Sequence, residues 1–349
     1  MKISGFIKIG HRKIGPTFKP LVIFELGINH NGSLKKAKKI VDHAIKAGAE
    51  VIKHQTHIPD DEMSLEAKKI IPVHAKENIY NIIQRCALDE KEELDLKKYI
   101  EKKKAIFLST PFSRKAVDRL VKFGVSAFKI GSGECNNYPL VDYIASFGKP
   151  VIISTGMNDI VSIKKSVAIL KKRKIQYAIL HTTNLYPTPH KFIRLNALLE
   201  LKKYFPNTVI GLSDHTGDNF TSYGAIALGA SIIEKHFIDK NTRRGPDIDA
   251  SVDTKQMKEL IHGVDLIHQA LPGGIKPIKQ EKKTANFAFA SVVSNTDLKS
   301  GDILTKKNIW VRRPGNGEFK AEKYNSLLGK KILSNVKKNT QIKKSHFKK

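Results

Sequence analysis

The sequence predicts an α/β chain, a (β/α)8 barrel followed by a small β-rich domain, and three observations predict it. Eight short apolar runs alternate with segments of helical period. The alternation fills residues 21–270, about the 250 residues such a barrel takes. After Leu271-Pro272-Gly273-Gly274 the pattern gives way to short strands broken by turns.

Residues 1–20 read as an irregular or hairpin leader ending at Pro20. The apolar runs follow at 21–26, 50–54, 105–109, 127–131, 151–154, 177–181, 209–213 and 231–236. Amphipathic stretches lie between them at 33–47, 113–123, 159–172 and 219–228, and another, 254–270, follows the last run. Strands joined by helical crossovers form a parallel sheet, and eight such units close on themselves, which sets a barrel domain at 21–272. The segment 273–286 is Lys-rich and reads as a linker. Residues 287–349 change texture: strands at 288–293 and 309–311 and turns at 301–302 and 314–317 describe a β-rich domain of about 60 residues, small enough to call for a partner surface.

With 349 residues, 40% of them hydrophobic, the chain can bury a large core. No run of roughly 18 uncharged apolar residues appears, so no membrane-spanning helix is expected. The N-terminus carries charges through its apolar part and offers no cleavage site, so no secretory signal is expected. The two cysteines, Cys86 and Cys135, sit in no metal-ligand spacing or disulfide framework, which fits a reducing, cytoplasmic setting. A net charge of +29 raises the question of nucleic acid. The lysines, however, are spread through every segment, including outer helix positions such as Lys35, Lys36, Lys38 and Lys39, and no nucleic-acid motif is present. The charge reads as a solvated surface, with attraction of anionic substrates as its functional side.

Active sites of such barrels form where the strands end, and all eight ends are polar. They are Glu25 with Asn29-His30-Asn31; Lys53-His54-Gln55; Ser109-Thr110; Lys129 with Ser132 and Glu134; Ser154-Thr155; His181 with Asn184 and Tyr186; Ser213-Asp214-His215; and Glu234 with His236. One such end is explained by a cap or a turn, but eight together are not. Lys53 and Lys129, with Thr110, Ser132, Ser154 and Asn184, suit a phosphate and a carboxylate, because lysines supply charge and hydroxyls and an amide supply directed hydrogen bonds. His215 and His236 end neighbouring strands, where neutral imidazoles bind a first-row divalent ion with water and substrate oxygens completing the shell. Two protein ligands make a weak, exchangeable site that suits Mn2+, Mg2+ or Co2+ better than a structural zinc. His30, His54, His57, His74 and His181 stay open between structural and functional readings, while His262 and His268 read as helix-surface residues. Gly131-Ser132-Gly133-Glu134 matches part of a dinucleotide-binding loop but lacks the third glycine and a following acidic strand end.

The segments ELGINHNG (25–32), KHQTHIPDDEMS (53–64), STPFSR (109–114), KIGSGECNNYP (129–139), STGMN (154–158), TNLYPTP (183–189), GLSDHT (211–216), EKHF (234–237), GPD (245–247), FAFASVV (287–293) and RPGNG (313–317) run in order over nearly the whole chain. In these the sequence closely resembles bacterial N-acetylneuraminate synthases, within the sialic, legionaminic and pseudaminic acid synthase family; KHQTH and GECNNYP look more like the N-acetylneuraminate branch. The resemblance implies a TIM barrel followed by an antifreeze-like (SAF) domain. It also implies a domain-swapped homodimer in which each small domain covers the partner's barrel mouth. The implied reaction joins phosphoenolpyruvate to N-acetylmannosamine, with legionaminic or pseudaminic acid precursors as the alternative sugars. Phosphoenolpyruvate would contact Lys53, Thr110, Lys129, Ser132, Ser154, Asn184 and Ser213. The metal, Mn2+ first among the candidates, would sit on His215 and His236. The sugar would meet Gln55, Tyr186 and Asp247, with Arg313 of the partner subunit and Phe287 near its N-acetyl group. Glu25, Glu134 and Glu234 are the acid–base or water-positioning candidates, unranked. His74 stands where the family pattern expects an amide, and Arg243-Arg244 before Gly245 is a second local departure.

Overall fold

The computed structural model describes residues 5–72, 77–240, 245 and 247–348. His74, Arg243 and Arg244 lie outside the described residues. The chain divides into two compact units, Met1–Pro272 and Gly273–Lys349.

The first unit opens with an antiparallel hairpin, β1 (Ile7–Ile9) and β2 (Arg12–Ile14). Eight parallel strands follow: β3 (Leu21–Glu25), β4 (Val51–Thr56), β5 (Ile106–Pro111), β6 (Phe128–Ile130), β7 (Val151–Ser154), β8 (Tyr177–Thr182), β9 (Val209–Asp214) and β10 (Ile232–His236). Their ladder runs β5-β4-β3-β10-β9-β8-β7-β6, a nearly closed barrel whose end strands β5 and β6 lie side by side. Most of the helices between them present an apolar stripe and begin at a side-chain cap. Leu34–Ala47 starts at Ser33, whose side chain accepts from Lys36 N, and stops at Gly48, where φ is 101°. It buries Ala37, Ile40, Val41, Ala44 and Ala47, one face of a 3.6-residue period, and Ile40→Asp would place a charge in that seam. Asp89 and Asp253 close capping boxes at the starts of Glu90–Lys102 and Thr254–Ala270.

The barrel interior is layered with the two-residue period of the strands, and Leu21, Ile106, Ala178 and Val209 form its lowest level. One level holds Ile23, Val51, Leu108, Ala127, Ile152, Leu180 and Ile232, packed with Ile7, Ile9 and Ile14 of the hairpin. Two residues further along the same strands stand Glu25, Lys53, Thr110, Lys129, Ser154, Thr182 and Glu234, which line the barrel mouth. The stretch expected to be a leader is therefore the apolar plug of the barrel's lower end, because its isoleucines bury fully among strand residues. Each such burial is worth about 1.5–3 kcal/mol.

In the second unit β11 (Ser291–Ser294) pairs antiparallel with β12 (Ile309–Arg312). Its core is Val292, Leu298, Leu304, Ile309, Leu327, Ile332, Val336 and Ile342. The segment expected to be linker carries a short helix, Lys282–Ala288, and Phe287 sits on that helix rather than at the start of a strand.

Candidate active site

Strand register brings the mouth residues to one level. Glu25 lies opposite Lys53 on one side and His236 on the other, and Ser213 lies opposite Glu234 and Thr182. The cavity they surround has a volume of about 220 Å3. Its lining includes every one of the expected barrel residues except Asp247, and also Phe112, Met157 and Thr182, which were not singled out in the sequence. Those three fall inside or beside the strand-end segments, and position alone would have found them. A larger hollow of about 460 Å3 lies beside it, but its charged lining is Arg194 with the acidic Asp159 and Glu200, and it has no lysine pair.

Charge pairing is the feature that spacing could not reveal. Lys53 Nζ lies 2.9 Å from Glu25 Oε2 and 3.4 Å from Glu234 Oε1, and donates to Thr110 Oγ1 at 3.3 Å. Lys129 Nζ donates to Ser154 Oγ at 2.7 Å and lies 3.6 Å from the same Glu234 oxygen, which also accepts from Ser213 Oγ at 3.1 Å. Two buried ammonium groups thus face two buried carboxylates. The lysines read from the sequence as suited to a phosphate and a carboxylate are already paired with carboxylates. Burial works against the Lys53 charge, but Glu234 and Glu25 outweigh it and raise its pKa. For Lys129 burial prevails, helped by Lys53 despite Glu234, and the pKa falls to about 8.

Glu134 differs from the other two acids. Burial lifts its pKa to about 7, and its Oε2 has no hydrogen-bond partner among the described residues. Ser132 Oγ accepts from Gly156 N at 3.0 Å, and the adjacent Asn184 Oδ1 is buried without a partner. A Cβ on Gly156 would stand 1.9 Å from that oxygen, so only glycine leaves room for the amide.

His215 is held below its ordinary range, at about 3, by burial and then by His236, so its ring is neutral. Its Nδ1–H donates to Thr183 O at 2.9 Å, which turns the Nε2 lone pair toward the cavity, where the Tyr186 hydroxyl stands 3.4 Å away. The His215 and His236 rings are 5.4 Å apart, and His236 Nδ1 is buried with no hydrogen bond, 3.8 Å from Asp247 Oδ2. No group of three or more His, Cys, Asp or Glu side chains that could hold a metal ion occurs among the described residues. Two imidazoles beside an open space, one of them held neutral by burial, fit a weakly held divalent ion. Burial keeps the Tyr186 phenol protonated by raising its pKa, with Asp247, Glu25 and Glu234 adding to the effect.

The remaining expectations are placed as follows. Gln55 Nε2 donates to Glu25 Oε1 at 2.8 Å. Arg313 and Phe287 belong to the second unit, and both are exposed. His30 is buried with neither nitrogen hydrogen-bonded and is lowered to about 4 by burial, then by His57; it lines no part of the cavity. His181 bonds Ile193 O at 2.6 Å and lines the neighbouring hollow. His262 is exposed on its helix and His268 half-buried.

Comparison with known proteins agrees over both units. Residues 40–276 match the NeuB family, and residues 289–348 match the SAF domain. The chain is 38% identical over 335 residues to N,N'-diacetyllegionaminic acid synthase of Campylobacter jejuni, covering 93% of this chain and 99% of that one. It is 29% identical over 335 residues to human N-acetylneuraminate-9-phosphate synthase, covering 95% and 93%. The crystal structure of the N-acetylneuraminic acid synthetase of Leptospira borgpetersenii superposes with a TM-score of 0.74 at 30% identity, over 80% of this chain and 95% of that one. With a mouth of this chemistry, and matches that cover most of its length, the chain belongs to the NeuB family of sialic-acid-type synthases.

Proposed function

We propose that the chain condenses phosphoenolpyruvate with the open-chain aldehyde of N-acetylmannosamine and water, giving N-acetylneuraminate and phosphate. The observation that carries this reading is a set of four buried polar atoms around one mouth, Glu134 Oε2, Asn184 Oδ1, Glu234 Oε2 and His236 Nδ1, all without hydrogen-bond partners among the described residues. Buried groups of this kind are normally satisfied, so four together mark a place built for a ligand.

Lys53 and Lys129, with Thr110, Ser132, Ser154, Asn184 and Ser213, hold the phosphate and carboxylate in this reading. Because Glu25 and Glu234 already balance the two ammonium groups, a polyanionic substrate leaves the site short of positive charge. That shortfall supports a divalent cation, Mn2+ in first place and Mg2+ or Co2+ as substitutes, which His215 and His236 would hold. Such an ion supplies Lewis-acid polarisation of the aldehyde carbonyl. Carbon 3 of phosphoenolpyruvate then forms the new bond to the aldehyde carbon, and water adds at carbon 2. Glu134 takes the proton from that water, which a carboxyl group titrating near 7 can do at neutral pH. The aldehyde oxygen takes up a proton as the new carbon–carbon bond forms, and the C2–O bond to phosphate then breaks as the C2 hydroxyl gives up its proton, so that hydrogen phosphate and the keto acid leave. Glu25 and Glu234 lie beside the lysines and fix them in place, so most of the rate gain is positioning. Gln55, Tyr186 and Asp247 meet the sugar, and a homodimer brings the partner subunit's Arg313 and the partner subunit's Phe287 to its acetamido group. The free, buried cysteines suit a cytoplasmic setting.

A second reading keeps the chemistry and changes the sugar to a 2,4-diacetamido-trideoxyhexose. It is favoured by 38% identity to the C. jejuni legionaminate enzyme against 29% to the human N-acetylneuraminate-9-phosphate enzyme. Phosphate release and product mass, measured with each sugar in Mn2+ and in EDTA, separate the two. Turnover with neither sugar overturns both readings. Full activity in a His215→Ala/His236→Ala variant overturns the metal assignment.

A further inference from the structure

His57 follows β4 and lines no part of the cavity, yet it touches a residue that does. Its Nε2 lies 3.1 Å from Gln55 Oε1, and its Nδ1 lies 2.8 Å from Glu62 Oε2. The ring is buried, with 4% of its side chain exposed, and stacks on Phe112 at 4.3 Å between centroids and 12° between planes. Both of its partners are acceptors, so a ring bonded to both carries an N–H on each nitrogen. Glu62 is a carboxylate, and Gln55 already donates from Nε2 to Glu25 Oε1 at 2.8 Å. Were the Gln55 amide reversed, its carbonyl oxygen would face the Glu25 carboxylate, two acceptors in contact, and its N–H2 would face the imidazole.

We propose that His57 is a positioning residue that fixes the Gln55 amide with its nitrogen toward Glu25, so that the second N–H is presented as a donor to the ligand in the mouth. The chemistry this selects is a sugar that offers an acceptor there, a hydroxyl or carbonyl oxygen. That part rests on the reading of Gln55 as a sugar contact; the positioning itself does not.

Three variants separate the hydrogen bonds from the packing. His57→Gln places an N–H near the Nε2 position and keeps the donor to Gln55. His57→Asn reaches only the Nδ1 position and keeps the donor to Glu62. His57→Phe keeps the stack on Phe112 and neither donor. With the sugar that the wild-type chain turns over, His57→Asn and His57→Phe raise the sugar KM about tenfold, the loss of roughly one hydrogen bond. In both, kcat and the phosphoenolpyruvate KM move less than about threefold. His57→Gln returns the sugar KM to within about threefold of wild type. Crystal structures of the Gln and Asn variants supply a readout that needs no turnover: the Gln55–Glu25 contact persists in the first and is lost in the second. If the wild-type chain accepts no sugar, the proposed function falls, and these structures still decide the role of His57. A His57→Gln variant as impaired as His57→Asn, or a Gln55–Glu25 contact retained in His57→Asn, overturns the proposal.

Discussion

The two ends of the barrel are built from the same eight strands and do opposite work. At the lower end Ile23, Val51, Leu108 and Ile152 close on the hairpin isoleucines with no buried charge among them. Two residues further along the same strands, Glu25, Lys53, Thr110 and Ser154 surround the mouth. One step of the pleat separates a stabilising layer from a chemical one. The lower layer satisfies itself by contact alone. The upper layer carries two ion-paired lysines and several unpartnered atoms, an arrangement costly to bury and useful only with a ligand.

The largest expected effect tests the upper layer. Replacing a buried charge pair by apolar or neutral groups of similar size is often neutral for stability. A Lys129→Met/Glu234→Gln variant should therefore lose about a thousandfold in kcat/KM, about 4 kcal/mol, with unfolding free energy no lower than wild type. Strong destabilisation in urea would break the comparison by making the charges part of the scaffold. Ile9→Ala is the converse: about 3 kcal/mol less stable by urea unfolding, with kcat/KM per folded molecule unchanged. A fall in kcat/KM well below the unfolding midpoint would mean that the plug shapes the mouth.

Three smaller effects sharpen the picture. In the proposed reaction Glu134 acts as its carboxylate, so kcat/KM should rise with pH through about 7, where its proton is lost. Glu134→Gln should lower kcat about a hundredfold and remove that acid limb. In the same proposal Lys129 binds the substrate as its ammonium form, so the phosphoenolpyruvate KM should rise about tenfold per pH unit above about 8, as that proton leaves. A KM flat from pH 7 to 10 would remove Lys129 from anion binding. Gly156→Ala should raise the same KM roughly tenfold by displacing Asn184, with little change in fold.

Much of this was legible in the sequence. Periodicity located the eight strands to within about two residues, and the polar strand ends named nearly every residue lining the mouth. What escaped has a common cause. Residues 1–20 read as a leader because three-residue strands carry too little periodicity to show that Ile7, Ile9 and Ile14 point into a barrel that has yet to form. The 273–286 linker hid the start of a helix because a Lys-rich, weakly periodic segment gives no stripe to read.

The sequence by itself determined the barrel, the second domain and the cast of residues at the mouth, because strand period and the chemistry of strand ends are local properties. Only the tertiary structure decided how those residues act on one another. Glu234 on β10 lies between Lys53 on β4 and Lys129 on β6, Gly156 makes room for Asn184, and His57 turns Gln55. Each of these relations joins residues from different strands or loops, and for the most distant of them it exists only once the ladder brings the two together. Charge balance is therefore a property of the closed barrel rather than of any segment of the chain.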